Sequence, residues 1–239
     1  MNALIHKKQT VTVIIAMYNG AETIESTINS ILEQSYKFIN ILICDDYSSD
    51  DSINKIVDIN NSQITLLKNK KNLGLSKTRK KLLSLTKTKW LAFIDQDDIW
   101  NYRKIEKQIS LLNLEACAMC HTHYNFNIES LGLSKVIKSK SKISYKDLLS
   151  GHCPGASTVL INTDYFDNFN SFSDQRYLDS INDYVIWLFL LRDSNNYSIC
   201  LEEIMMDYSY HGGNLSANKL KQVFKNFYIL KNIEKINFF

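Results

Sequence analysis

Three carboxylates fall within four positions, Asp95, Asp97 and Asp98, at the end of an apolar run, Leu91-Ala92-Phe93-Ile94. Such a run suits a short buried strand. Acids released where a strand ends stand at the rim of a sheet, where open α/β sheets take their ligands. Like charges this close repel one another, and clustered oxygen ligands suit a hard cation such as Mg²⁺ or Mn²⁺. A second acidic pair, Asp45-Asp46, ends another apolar run. If both runs are parallel strands, the two groups share one edge. Arg79, on the helix expected between them, adds a cation near that edge. Each feature has a plain alternative: a solvated acidic turn, turn-capping aspartates, an exposed helix arginine. Their recurrence at strand ends makes decoration a poor account of the set.

The elements that would position these groups follow from periodicity. Residues 11–16 are β-branched and apolar and read as a buried strand, closed by the turn Tyr18-Asn19-Gly20. Ile24, Ile28, Ile31 and Leu32 form one helical stripe. Residues 38–44 make a second strand. Ser48, Ser49 and Asp50 are placed to cap a helix carrying Ile53, Ile56 and Val57. A third strand covers 64–67, and a basic helix over about 76–85 leads into the Trp90 strand. This alternation predicts an α/β fold with a mostly parallel sheet and helices on both faces. Beyond Trp100 the pattern predicts a helix with Ile105, Ile109 and Leu112, and a strand over 117–126. A polar loop over 127–144, with room for one short strand, comes next. A short helix over 145–149, a turn over 151–155, a strand over 156–161 and a buried helix over 178–192 follow. The last expected elements are a strand over 203–210, a loop over 211–214 and a helix from Lys219.

Composition narrows the function classes. At 239 residues and 45% hydrophobic, the chain can bury a sizeable core as one large domain or two small ones. A net charge of +3 gives no general electrostatic case for nucleic acid. Five cysteines at irregular spacing do not make a disulfide framework and favour a reducing compartment. The first ten residues lack a signal-peptide core. The longest strong apolar run, 185–191, is too short to span a bilayer, so a cytoplasmic protein is expected. Cys117-Ala118-Met119-Cys120-His121 matches a c-type haem attachment pattern. On a strand, however, Cys117, Met119, His121 and His123 would share one face and Cys120 the other, so core cysteines are expected. Lys219, Lys221, Lys225, Lys231 and Lys235 lie among Leu220, Phe224, Phe227, Ile229, Leu230, Ile233 and Ile236. That amphipathic pattern suits a membrane surface, a partner or the chain's own domain.

The ordered blocks VTVIIAMYNGAETIESTINSILEQS, ILICDDYSSDDS, NKKNLGLSKTRKKLL and WLAFIDQDDIW resemble those of the family 2 inverting glycosyltransferases with the GT-A fold. In that family the first strand ends in a Tyr-Asn turn, the second in Asp-Asp-x-Ser and the fourth in Asp-x-Asp. The resemblance is strongest from Val11 to Lys107 and continues to Ser216. It implies a GT-A-like domain over 1–218: a nucleotide-sugar-binding half (1–107), an acceptor-binding half (108–218), then a basic amphipathic helix over 219–239. It also implies roles. Ala16 and Tyr18 would line the nucleotide base and ribose, Asp45 or Asp46 would read the base edge, and Arg79 would help hold it. Asp95 would contact the ribose or sugar, and Asp98 would sit beside the donor sugar. Asp97 would ligate Mn²⁺ or Mg²⁺, with His211 completing the metal shell. Asp183 would be the catalytic base. The implied donor is a nucleotide sugar, a UDP-sugar above all. The implied acceptor is a glycan or lipid-linked sugar in bacterial surface-polysaccharide assembly; the basic amphipathic C-terminal pattern, read by itself, leaves peripheral contact with the cytoplasmic face of the inner membrane as one of its open readings.

Those roles agree with the chemistry, since a divalent ion stabilises a leaving diphosphate and a carboxylate can deprotonate an attacking hydroxyl. The chain departs from the family pattern at four positions, with Ala16 for Pro, Tyr47 for Gly, Asn182 for Glu and Ser209 for Arg. Tyr47 implies a turn without a positive φ. Asn182 leaves Asp183 the only carboxylate of its pair, and Ser209 removes a phosphate-binding cation. Rival readings fit less well. A phosphatase with an Asp-x-Asp nucleophile would carry it on the first strand, and a nucleotidyltransferase needs a Gly-rich loop where Tyr18-Asn19-Gly20 stands. An EF-hand needs a ligand and then Gly where Ile99 and Trp100 stand. A glycosyltransferase-like chain that only binds glycan is separated from an enzyme by donor hydrolysis.

Overall fold

The computed structural model describes residues 10–166, 183–210, 229 and 231. The first half alternates as periodicity predicts: β1 (Val11–Met17), α1 (Ile24–Leu32), β2 (Ile39–Asp45), α2 (Ser52–Ile59), β3 (Ile64–Lys68), α3 (Leu75–Leu85) and β4 (Trp90–Phe93). The second half contains β5 (Ile99–Trp100), α4 (Lys104–Glu115), β6 (Met119–Ile128), β7 (Leu133–Ile137), β8 (Lys142–Ile143) and α5 (Tyr145–Leu149). A 3₁₀ turn (Ala156–Thr158), β9 (Leu160–Asn162), α6 (Asp183–Leu191) and β10 (Ser198–Ser209) follow.

The strands form one mixed sheet of order β3-β2-β1-β4-β9-β6-β10-β5, with β7 beside β6 and β8 beside β10. β1 runs parallel to β2 and β4, and β2 parallel to β3. β9 is antiparallel to both β4 and β6, so β6 runs in the same direction as β4. β10 continues that direction beside β6.

Neighbouring residues of β1 feed two different cores, as the two-residue repeat of a strand requires. Val13 and Ile15 pack with α1 and α4 through Ile24, Ile28, Ile31, Ile105 and Ile109. Ile14 packs with Leu82 and Leu83 of α3 and with α6 from Tyr184 to Leu191. The apolar run of α6 is therefore interior, buried at seven positions. Ile229 joins this second core. At that residue the C-terminal segment packs on its own domain; the rest of the helix expected from Lys219 lies outside the described residues. So do residues 178–182 of the expected buried helix and the loop over 211–214.

Several expectations need correction. The segment 127–144 is not a loop with one short strand: β6 runs to Ile128 and is followed by β7 and β8. β7 is an edge strand exposed along most of its length, so no buried face imposes an alternating pattern. The strand expected over 156–161 is a 3₁₀ turn and then β9. β10 begins at Ser198 rather than 203, because register shifts between Leu201, Ile204 and Asp207 break its repeat. Cys117 does not share a face with Met119. β6 starts only at Met119, after Ala116 in the left-handed region at φ 48°, and Cys117 packs with Cys120 in the α1–α4 core.

Candidate active site

The strand-end acids meet at one edge. Register aligns Ala16 with Cys44 and Met17 with Asp45 across β1 and β2, and Ile14 with Phe93 across β1 and β4. The C-terminal ends of β1, β2 and β4 therefore bring Ala16, Tyr18, Asp45, Asp46, Asp95, Asp97 and Asp98 to a common rim. Arg79 on α3 reaches the same place. Arg79 is 5% exposed, and its Nη2 donates to Asp95 Oδ1 at 2.8 Å.

The turn after β1 is tied down by side chains from the β2–α2 loop and the first residue of α2. Asn19 N–H donates to Ser48 Oγ, Gly20 N–H to Ser52 Oγ and Ala21 N–H to Asp50 Oδ2, at 2.8, 2.8 and 2.9 Å. Asn19 is at φ 49°, and its side-chain oxygen accepts from Ser49 N–H. Ser48 thus holds the neighbouring turn, while Asp50 does both: its Oδ1 accepts from Ser52 N–H at 3.2 Å at the start of α2, whose N-cap position, Asp51, makes no side-chain cap bond. Tyr47 stands at φ 71°, so the turn does require the left-handed region that a glycine would enter freely. A non-glycine residue bears roughly 1–2 kcal/mol there.

Asp45 and Asp46 are both almost fully buried. Asp45 accepts from Ser48 N–H. Asp46 accepts from Asn69 Nδ2, Leu73 N–H and Gly74 N–H at 2.8, 2.8 and 2.7 Å. Its carboxylate therefore fixes the loop that starts the Arg79 helix, which leaves Asp45 the more available of the two for a base.

The acid turn is clamped from three sides. Gln96 Oε1 accepts from Tyr18 N–H at 2.8 Å, and its Nε2 donates to Tyr18 O at 3.1 Å. The variable residue inside Asp-x-Asp thereby locks the turn to β1. A Cβ on Gly20 would stand 2.9 Å from the amide end of the Gln96 side chain, so a larger residue there would displace the group that holds Tyr18. Thr27 Oγ1 bonds the carbonyls of Gln96 and Asp98. Ser157 Oγ accepts from Asp95 N–H at 3.0 Å, and its carbonyl accepts from Trp100 Nε1 at 2.7 Å. Sequence reading missed Gln96, Thr27 and Ser157; Ser157 is remote in the chain and carries no local signal.

Asp98 is 1% exposed. Burial first, then the charge of Asp95, push its carboxyl well above the usual range, while a hydrogen bond from Ser157 opposes the shift. Its Oδ1 has no hydrogen-bond partner among the described residues. The charge of Asp98 also raises the Tyr124 phenol, after burial, and Cys153 adds to the effect. Cys153 reaches the surface, yet desolvation of its thiol and then the charge of Asp183 raise it well above its range. Asp183, the first residue of α6, is thus near enough for its charge to act on Cys153, and Asp98 near enough to act on Tyr124. His211 lies outside the described residues. A surface cavity of about 610 Å³ lined by Arg103, Lys107, Glu203 and Ile204 includes none of the strand-end acids.

Among the described residues no three His, Cys, Asp or Glu side chains form a ready ion cage. Mg²⁺ and Mn²⁺ sites that act on phosphates commonly use one or two carboxylates and take their other ligands from the substrate and water. Asp95 and Asp97, with the Asp98 Oδ1 behind them that no described residue bonds, fit that chemistry.

The family model for Glycosyl transferase family 2 matches residues 12–168. The chain belongs to glycosyltransferase family 2. This glycosyltransferase is 33% identical over 231 residues to the UDP-Glc:α-D-GlcNAc-diphosphoundecaprenol β-1,3-glucosyltransferase WfaP of Escherichia coli, covering 93% of this chain and 86% of that one. It is 28% identical to the putative teichuronic acid biosynthesis glycosyltransferase TuaG of Bacillus subtilis, over 97% of this chain and 91% of that one. Solved structures share its fold. S. aureus TarS in complex with UDP-GlcNAc superposes with a TM-score of 0.68 at 15% identity, over 92% of this chain and 66% of that one. The mannosyltransferase PcManGT from Pyrobaculum calidifontis, in complex with GDP-Man and Mn²⁺, gives 0.69 at 13%, over 95% and 64%. The glycosyltransferase thus spans just under two thirds of each of these structures. The mixed, mostly parallel sheet flanked by helices is the GT-A fold expected from the sequence. No helix among the described residues is long and apolar enough to cross a membrane.

Proposed function

We propose that this glycosyltransferase moves a hexosyl group, glucose foremost, from its UDP donor to a sugar carried on a polyprenyl diphosphate, with inversion at the anomeric carbon, at the cytoplasmic face of a membrane. The observation that carries this reading is the clamped acid turn in which the buried Arg79 pairs with the half-exposed Asp95, in a chain that is alike over nearly its whole length to a UDP-Glc-dependent diphosphoundecaprenol glucosyltransferase.

In this reading residues 1–107 hold the donor, with Ala16, Tyr18 and Asp45 around the nucleoside and Asp95, oriented by Arg79, toward the ribose and sugar. Asp46 acts indirectly, through the loop it fixes. Asp97, with His211, would hold a Mn²⁺ or Mg²⁺ ion, which when bound neutralises charge on the diphosphate. Asp98 backs the turn beside the donor sugar. Residues 108–218 hold the acceptor. Asp183 accepts the proton of the acceptor hydroxyl as its oxygen bonds to the anomeric carbon, and the bond from that carbon to the diphosphate oxygen breaks with release of UDP. One carboxylate on the face opposite the diphosphate gives a single displacement, hence inversion.

The test combines two variants in a transfer assay with UDP-glucose and a diphosphoprenyl-linked N-acetylglucosamine. Asp97→Asn should weaken donor binding in Mn²⁺ and change little in EDTA. Asp183→Asn should leave donor binding intact and lower turnover about 10²–10⁴-fold. A well-folded Asp183→Asn that turns over normally, or a product of retained configuration, rejects the base. Equal loss for Asp97→Asn with and without metal rejects the metal role.

A further inference from the structure

The β6–β7 hairpin combines exposed leucines with a run of lysines. Leu131 and Leu133, either side of Gly132 at φ 60°, are 65% and 58% exposed. From Ser130 to Lys146 the chain carries five lysines, at 135, 138, 140, 142 and 146, and no acid; the whole molecule nets only +3. All five lysines are exposed. Lys140 pairs with Asp147, and the Lys142 ammonium lies 3.5 Å from the Tyr197 ring centroid. An edge strand can carry lysines merely to repel other strands. That account does not explain two exposed leucines at the tip.

Topology gives the hairpin a direction. β6 runs the same way as β4, so its end projects from the edge that carries the strand-end acids. Cys120 and Ala92 both pair with Leu160 and so lie level across the sheet. Ile128 is eight residues past Cys120, and Asp95 only three past Ala92. The tip therefore stands roughly 16 Å beyond the acid turn, at about 3.3 Å per residue.

An aromatic and aliphatic face, interrupted by Lys135 opposite Phe126, runs between the two. Register puts Leu133 opposite Ile128 and Ile137 opposite Tyr124, on the face that also carries Phe126. Tyr208 stacks on Phe126 with centroids 5.4 Å apart, and Tyr210 lies 5.5 Å from Phe126. This face starts at Tyr124, which feels the charge of Asp98, and ends at the leucines. Aromatic rings, exposed leucines and a ring of lysines are the combination that seats a protein at an anionic lipid interface.

We propose that the β6–β7 hairpin docks the enzyme on an anionic bilayer, with Leu131 and Leu133 inserted at headgroup level and Lys135 and Lys138 on the phosphates. The aromatic face then leads from the bilayer surface to the acid turn. This surface is distinct from the C-terminal segment and does not depend on the donor or acceptor proposed above.

The test uses the full chain and vesicles of phosphatidylcholine, with and without phosphatidylglycerol, containing neither donor nor acceptor. Failure of transfer and failure of docking are thus read separately. Wild type should sediment with the anionic vesicles, less so at high salt. Leu131→Ser/Leu133→Ser should lose at least tenfold in partitioning, and Lys135→Gln/Lys138→Gln about fivefold per charge, with melting temperature and UDP binding unchanged in both. The proposal is overturned if wild type ignores anionic vesicles, or if the leucine variant partitions as wild type does. It is also overturned if that variant only converts a dimer to a monomer, which would make the hairpin a contact between copies. Binding to RNA as tight as to vesicles, lost with the lysines alone, would overturn it as well.

Discussion

Lys104 has no exposed surface. Its ammonium lies 4.1 Å from the Trp100 ring centroid and donates to Gln108 Oε1 at 2.7 Å. Among the described residues no carboxylate forms an ion pair with it. Burial lowers its pKa from 10.5 to about 7. Between those values the unfolded chain binds a proton that the folded chain does not, so stability should rise with pH from about 7 toward 9. Above that, the thiols of Cys120 and Cys200, raised to about 12 by burial, work in the opposite direction. Lys104→Met should flatten the rise and raise stability most near pH 6, on the order of 2–4 kcal/mol. Urea melts of both chains at pH 6 and pH 9 measure this, and an unchanged pH slope in the variant removes Lys104 as the cause. The buried charge was hidden in the sequence, where Lys104 sits among the polar residues at the start of an ordinary amphipathic helix. Tyr47 misled for a related reason: residue type suggested a backbone without positive φ, whereas the bonds of Ser48 and Asp50 to the neighbouring turn accompany the opposite geometry.

At the scale of elements, the first four strands and their helices were legible because buried strands and amphipathic helices write their periods into the chain. β7 was not, since an exposed edge imposes no period. The acids of the site were legible as strand ends, but the 3₁₀ turn that braces them was not, because Ser157 meets Asp95 only through the antiparallel return of β9. Ser157→Ala removes the acceptor for Asp95 N–H and the donor to Asp98. It should cost about 1–3 kcal/mol and weaken UDP-sugar binding. Ser157→Thr, which keeps the hydroxyl, should recover much of the binding if Thr158 and Trp100 admit the extra methyl. Calorimetric titration with UDP alongside thermal melts separates the two effects. Full donor affinity in Ser157→Ala would show that the turn holds its shape without the brace.

Over the whole molecule, β9 matters for when the protein can fold. β4 and β6 each pair with β9, and between them only β9 closes the sheet. During synthesis the outer side of β4 therefore waits for a strand made about seventy residues later, several seconds at about 5–20 residues per second. For that interval the ribosome displays an unpaired apolar edge, the kind of surface that other chains join. The family match, residues 12–168, ends just after β9. Nascent chains stalled at successive lengths and treated with protease should show β1–β4 protected only once residue 162 has left the exit tunnel. Protection at shorter lengths would mean that the first four strands fold without β9. If the edge does wait, yield in the cell should respond to translation speed between residues 94 and 160 more than to speed elsewhere.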